Sequence, residues 1–136
     1  VTGVLVDTCV VCELARRNPD PRVTAWFDRR FPNALLSAPV VMEIEAGIVS
    51  ASAPARTELL RALRRFPRER RLVVDDAAAA QAGRAVAAAK REGRPIGLID
   101  AQLVGLAAAI GCAVATRDRD FDGRGVKIIN PWADQE

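Results

Sequence analysis

The chain has 136 residues, half of them hydrophobic, with 20 basic and 17 acidic side chains and a formal charge of +3. It contains no histidine, which removes the usual neutral-pH acid/base and the commonest metal ligand. The length suits one domain, residues 1–136; no apolar run reaches membrane-spanning length, and three cysteines without an export signal argue against a disulfide framework. The expected location is therefore cytoplasmic.

Gly3 to Val6 is short, apolar and uninterrupted, as a strand buried on both faces should be. Val10 to Arg16 reads as a helix, Asn18-Pro19-Asp20-Pro21 as a break, and Val23 to Arg30 as a second helix. Ala34 to Ser37 is a second strand, after which Pro39 opens a helix at a position that proline tolerates. From Pro54 to Phe66, apolar residues recur at helical spacing above an arginine-rich outer face. Arg71 to Val74 is a third strand, and Asp76 caps an alanine-rich helix ending near Gly93. Ile99, Leu103, Leu106 and Ile110 share one helical face, Gly111 stops that helix, and Cys112 to Ala115 and Val126 to Ile129 are the last strands. Strands alternating with helices predict an α/β fold with a parallel sheet of four to five strands covered on both sides, and ligands bind beyond the carboxyl ends of such strands.

Acidic residues gather at the junctions. Asp7 ends the first strand, where it serves equally as a helix cap or as a group in the crevice. Asp100 lies in the first turn of its helix, beside the apolar stripe; Asp118 follows the strand ending at Ala115. Glu43 and Glu45 flank the stripe Val40, Val41, Ile44, Ile48, and periodicity does not separate them. Carboxylates at one end of a sheet repel one another, and a divalent cation relieves that repulsion while activating water.

At these residues the chain resembles PIN-domain ribonucleases, in particular the VapC toxins of toxin–antitoxin pairs and their FitB branch. Leu5-Val6-Asp7-Thr8 with Val10-Val11 and Glu13-Leu14 is similar to the opening motif, and Pro19-Asp20-Pro21 with Ala25-Trp26 continues it. Ser37-Ala38 leading to Glu43 and Gly47 resembles the second motif and selects Glu43 over Glu45. Gly93 to Gly97 running into Asp100 resembles the third; Ala115-Thr116-Arg117-Asp118, Phe121 and Asn130-Pro131-Trp132 resemble the last.

The resemblance implies a three-layer α/β/α fold and Mg²⁺ or Mn²⁺ held by Asp7 and Asp100, with Glu43 and Asp118 completing the site. Thr8 and Thr116 match hydroxyl positions that orient those carboxylates. It further implies homodimers, a cognate antitoxin, and cleavage of single-stranded RNA, such as a tRNA or rRNA loop, leaving a 5′-phosphate and a 3′-hydroxyl. Two departures stand out. Cys9 occupies a position that is usually asparagine, a change compatible with a weakened, binding-only member, and Asp120 is an alternative to Asp118 as fourth acid.

Cys9-Val10-Val11-Cys12 at a helix start also has the spacing of a thioredoxin-like redox pair, although Val-Val is an unusual filling. Arg117 and Arg119 flank the acidic loop and are the candidates for RNA phosphate contact. The run from Arg61 to Arg71 reads as a solvated face, and Trp26 and Trp132 as packing residues.

Overall fold

In a computed structural model, residues 3–133 are described. The chain runs β1 (Val4–Val6), α1 (Thr8–Leu14), α2 (Pro21–Arg30), β2 (Ala34–Ser37), α3 (Ala38–Ser50), α4 (Ala53–Arg64), β3 (Arg71–Leu72), α5 (Asp76–Arg91), α6 (Leu98–Ile110), β4 (Ala113–Ala115) and β5 (Ile128–Ile129). All strand pairs are parallel and the order is β3-β2-β1-β4-β5, so the five-stranded sheet is flanked by helices as the alternation predicts. The middle strand is hydrophobic throughout because both its faces are covered: Val4, Leu5 and Val6 have no exposed surface.

This strand order leaves a crevice at one end of the sheet. The chain builds outward from β1 to β2 and β3, then returns through α5 and α6 to lay β4 on the other side of β1. The reversal leaves a crevice beyond the carboxyl ends of β1 and β4, the place where open α/β sheets bind ligands. Pairing of Val6 with Ala115, and the Asp7 N–H donated to the Ala115 carbonyl at 3.0 Å, set the residues that follow each strand side by side.

Two glycines have steric reasons. A Cβ on Gly105 would stand 2.5 Å from both the Ala78 carbonyl oxygen and the Ala82 nitrogen, so α6 reaches α5 only because glycine meets its alanine-rich face. Gly111 caps α6 with φ +69°, a left-handed turn that other residues adopt only with strain.

Several boundaries differ from the sequence expectation. Helix α1 begins at Thr8 rather than Val10, because the Asp7 carboxylate accepts the Thr8 N–H at 2.8 Å and starts the helix earlier. Helix α5 is capped by Asp75, which accepts from the Ala78 N–H at 2.9 Å, and Asp76 is its first residue. Strands β3 and β5 are two residues each, and Val73 is exposed, as short edge strands require. Ile110 is exposed at the end of α6, although Leu103 and Leu106 on the same stripe are buried.

The arginines from Arg61 to Arg71 are largely consumed by structure. Arg61 pairs with Glu58 at 2.8 Å, Arg65 stacks over Phe27, and Arg71 donates to the Phe66 and Leu63 carbonyls. Arg70 likewise donates to the Phe31 carbonyl. Trp26 and Trp132 are buried, as packing residues should be.

Candidate functional site

Asp7 is a helix cap and a crevice group at once, so the two readings of the sequence were not alternatives. Its Oδ1 accepts the Thr8 N–H, while Oδ2 accepts the Thr116 hydroxyl at 2.8 Å in a buried contact. Thr116 is fully buried, and its hydroxyl oxygen in turn accepts the Asp118 N–H at 3.0 Å. One threonine thereby fastens the carboxylate after β1 to the loop after β4. Thr8 plays the matching part across the crevice, donating its hydroxyl to Glu43 Oε1 at 2.5 Å. Both Glu43 and Glu45 are exposed to solvent, but Glu43 reaches the centre from α3 through Thr8 and its charge is felt at Asp100.

The tightest group is Asp100, Asp118 and Asp120, each offering a carboxylate oxygen within 4.8 Å of the others. Asp118 and Asp120 therefore do not compete for one position. Asp118 Oδ1 accepts the Asp120 N–H at 2.9 Å, which folds the 119–121 segment into a tight turn and brings the second carboxylate beside the first. Arginines fix the loops around that turn: Arg124 donates to the Asp120 and Arg94 carbonyls, and Arg94 to the Asp122 carbonyl.

Electrostatics unite all five acids. Burial first, and then the negative charges of Asp7, Asp118, Glu43 and Asp120, together push the Asp100 carboxyl up from an ordinary value of 3.8 to about 6. A raised carboxyl beside four other carboxylates is the condition that a bound cation relieves. The donor set is all oxygen, which suits hard Mg²⁺ or Mn²⁺, and the Asp100, Asp118 and Asp120 oxygens are close enough to share one ion.

Cys9 takes part in this network as a neighbour of Asp7. Its Sγ lies 3.5 Å from both Asp7 Oδ2 and Thr116 Oγ1. Cys12 is exposed, and both thiols are free. Burial raises the Cys9 and Cys12 pKa values, with the Asp7 charge adding to both and Glu43 to the second. A redox nucleophile needs its thiolate stabilised, and here acidic neighbours oppose that.

The two arginine candidates differ. Arg119 is almost wholly exposed and pairs weakly with Asp122 at 3.5 Å. Arg117 lies with its guanidinium 4.3 Å from the centre of the Trp132 ring, so its direction is set.

Sequence reasoning passed over the burial of Glu13. It is 3% exposed, accepts the Asp20 N–H at 2.9 Å, pairs with Arg16 at 3.3 Å and receives a hydrogen bond from Trp132. Burial pushes its carboxyl up, but the Asp20 N–H, Arg16 and Trp132 together outweigh that and hold it below its ordinary value. Its position three residues after buried Val10 on the α1 stripe was the available signal.

The PIN domain family matches residues 4–127. VapC ribonuclease Y4jK of Sinorhizobium fredii is 36% identical, across 95% of this chain and 97% of its own length. Toxin FitB of Neisseria gonorrhoeae is 30% identical, across 96% and 99%. Among solved structures, the FitAB complex bound to a DNA fragment superposes with a TM-score of 0.86 at 30% identity over 98% of both chains. With the fold, the ordered motifs and end-to-end likeness in agreement, this chain belongs to the PIN domain family, on the branch that holds the VapC and FitB toxins.

Proposed function

We propose that the protein is a Mg²⁺- or Mn²⁺-dependent endoribonuclease, the toxin of a type II toxin–antitoxin pair, acting as one domain in the cytoplasm. The observation that carries this reading is the convergence of Asp7, Glu43, Asp100, Asp118 and Asp120 on one crevice, with Asp100 raised to about 6 by burial and by its acidic neighbours. Asp100, Asp118 and Asp120 would hold the cation directly, with Asp7 and Glu43 completing its surroundings. When bound, the ion supplies Lewis acidity towards a phosphate oxygen and towards the attacking water.

The chain's own residues do the rest. Thr116 and Thr8 hold Asp7 and Glu43 in fixed rotamers, so the carboxylates need no reorganisation when an ion and a phosphodiester arrive. With no histidine present, proton transfer falls to carboxylates and water, and Asp100, raised to about 6 without an ion, would give up its proton as the ion binds. Arg117 and Arg119 offer positive charge beside the acid loop for the RNA backbone. Hydrolysis would leave a 5′-phosphate and a 3′-hydroxyl on single-stranded RNA such as a tRNA or rRNA loop.

A cognate antitoxin is the proposed protein partner, in keeping with structural neighbours solved as FitAB and VapBC complexes, and a homodimer the proposed assembly. Among the described residues no helix is long and apolar enough to cross a membrane. The direct test is cleavage of a mixed RNA pool with Mg²⁺, with EDTA, and by the Asp7→Asn and Asp100→Asn proteins. Cleavage that needs Mg²⁺ and both aspartates supports the mechanism, and cleavage that survives EDTA or either substitution overturns it.

A further inference from the structure

Beside the acidic centre, and separate from it, lies an open groove of about 730 Å³ between the start of α2 and the acid loop. Four arginines line it, Arg16, Arg17, Arg22 and Arg117, against two carboxylates, Glu13 and Asp20. Both carboxylates are already engaged: Glu13 is buried beneath Arg16, and Asp20 chelates Arg22 through two contacts of 3.2 and 2.8 Å while capping α2. The arginine side chains remain open to solvent, with Arg16 66% and Arg22 57% exposed. Arg17 makes no ion pair among the described residues. The surplus of two positive charges is therefore presented outward.

The groove is also pre-shaped. Trp132 donates to buried Glu13 and lays its ring under the Arg117 guanidinium, so a chain of contacts from α1 holds that cation at the wall of the groove. Arg117 follows Thr116, which grips Asp7, and precedes Asp118, a member of the acidic trio, so the groove's wall is next in the chain to the acidic centre. Planar guanidinium groups match phosphate oxygens in pairs; Trp132 orients Arg117 and Asp20 orients Arg22, while Arg17 is able to turn onto a phosphate.

We infer that this groove is a phosphate-binding subsite, in which Arg16, Arg17, Arg22 and Arg117 hold the backbone of an RNA strand flanking the bond to be cut. The inference rests on the nuclease reading above. It extends the footprint from the loop arginines, which the sequence pointed to, onto α1 and the start of α2. Because such contacts lie away from the reacting phosphate, they bind substrate and transition state alike and act on KM rather than kcat.

The test uses the full chain, with Arg17→Ala and the double variant Arg17→Ala/Arg117→Ala, on a single-stranded RNA pool with Mg²⁺. Expected is a KM raised about 10-fold with kcat kept within about twofold for Arg17→Ala. In an Asp100→Asn background, where binding of a ten-nucleotide oligouridylate is read without cleavage, the double variant should flatten the salt dependence by about 1.4, or about 0.7 per lost phosphate contact. Unchanged KM and salt slope in variants that melt like the parent would overturn the inference and leave the nuclease reading standing. A parent chain that neither binds nor cleaves RNA would remove both. A decaglutamate peptide that competes as well as the RNA, with the same dependence on Arg17, would overturn it in favour of an acidic protein segment.

Discussion

Two carboxylates, Glu13 and Asp100, are both desolvated by burial and have opposite fates. Glu13 is the more deeply buried of the two, yet the Asp20 N–H, Arg16 and Trp132 hold its carboxyl below the ordinary value. Asp100 is only partly buried, yet its carboxyl is pushed up to about 6, because beyond desolvation every charge named around it is another carboxylate. Depth of burial thus fails to separate a structural acid from a site acid. What separates them is the company each keeps: Glu13 is surrounded by donors that already satisfy it, and Asp100 by acids whose repulsion a proton or an added cation relieves.

The largest expected effect comes from breaking the unsatisfied member. Asp100→Asn should lower Mg²⁺-dependent RNA cleavage by about 100-fold or more. The same change removes one of five mutually repelling charges, so without metal the variant should melt no lower than the parent. Thermal denaturation in EDTA beside cleavage rates in Mg²⁺ checks both halves, and a clear loss of stability would make Asp100 a second structural acid.

Glu13→Ala should do the reverse. It strands the Asp20 N–H and the Trp132 indole without their acceptor, a cost of about 2 kcal/mol that urea unfolding will register. Glu13→Gln keeps an acceptor and should lose less. An unfolding midpoint unmoved in both variants would show that the buried network contributes nothing to the fold.

The two acids also predict opposite responses to pH. Between its unfolded value near 3.8 and about 6, Asp100 holds its proton more tightly when folded, so the stability it confers at low pH is lost as pH rises through about 6. Glu13, held below its ordinary value of 4.5, contributes stability above that value, which is lost as pH falls. Denaturation of the Asp100→Asn and Glu13→Gln proteins at about pH 3, 5 and 7 separates the contributions. Mg²⁺ competes with the Asp100 proton, so its stabilising effect should be clear at pH 7 and fade below about 6.

Much of this was legible in the sequence, because the elements follow from local signals. Uninterrupted apolar runs marked β1 and β4, Gly111 marked the end of α6, and strand–helix alternation implied the parallel sheet. Asp7, Glu43, Asp100 and Asp118, each read at a junction of the elements, gather around Asp100 in the structure. Relations between distant residues were out of reach. Nothing near Glu13 announces Trp132, and nothing near Asp118 showed that Asp120 would join it rather than replace it. Boundaries moved where a single side chain decided them, as when Asp7 drew the start of α1 back to Thr8.

The smallest expected effect concerns Cys9, which touches the satisfied side of the acidic centre. Its thiol is a weak donor 3.5 Å from Asp7 Oδ2, an oxygen that already accepts the Thr116 hydroxyl at 2.8 Å. Because Thr116 carries the orientation of Asp7, restoring the family's asparagine with Cys9→Asn should change cleavage by no more than about fivefold, in the direction of a rise, since an amide donates to a carboxylate more strongly than a thiol. Thr116→Val, by contrast, removes both the hydroxyl that Asp7 accepts and the oxygen that receives the Asp118 N–H, and should cost more than the cysteine change. Cleavage rates of the two proteins side by side decide the point. If Cys9→Asn rose far beyond fivefold, or Thr116→Val were the milder change, Cys9 would be the group that limits how Asp7 meets its cation, and the centre would be under-satisfied on that side as well.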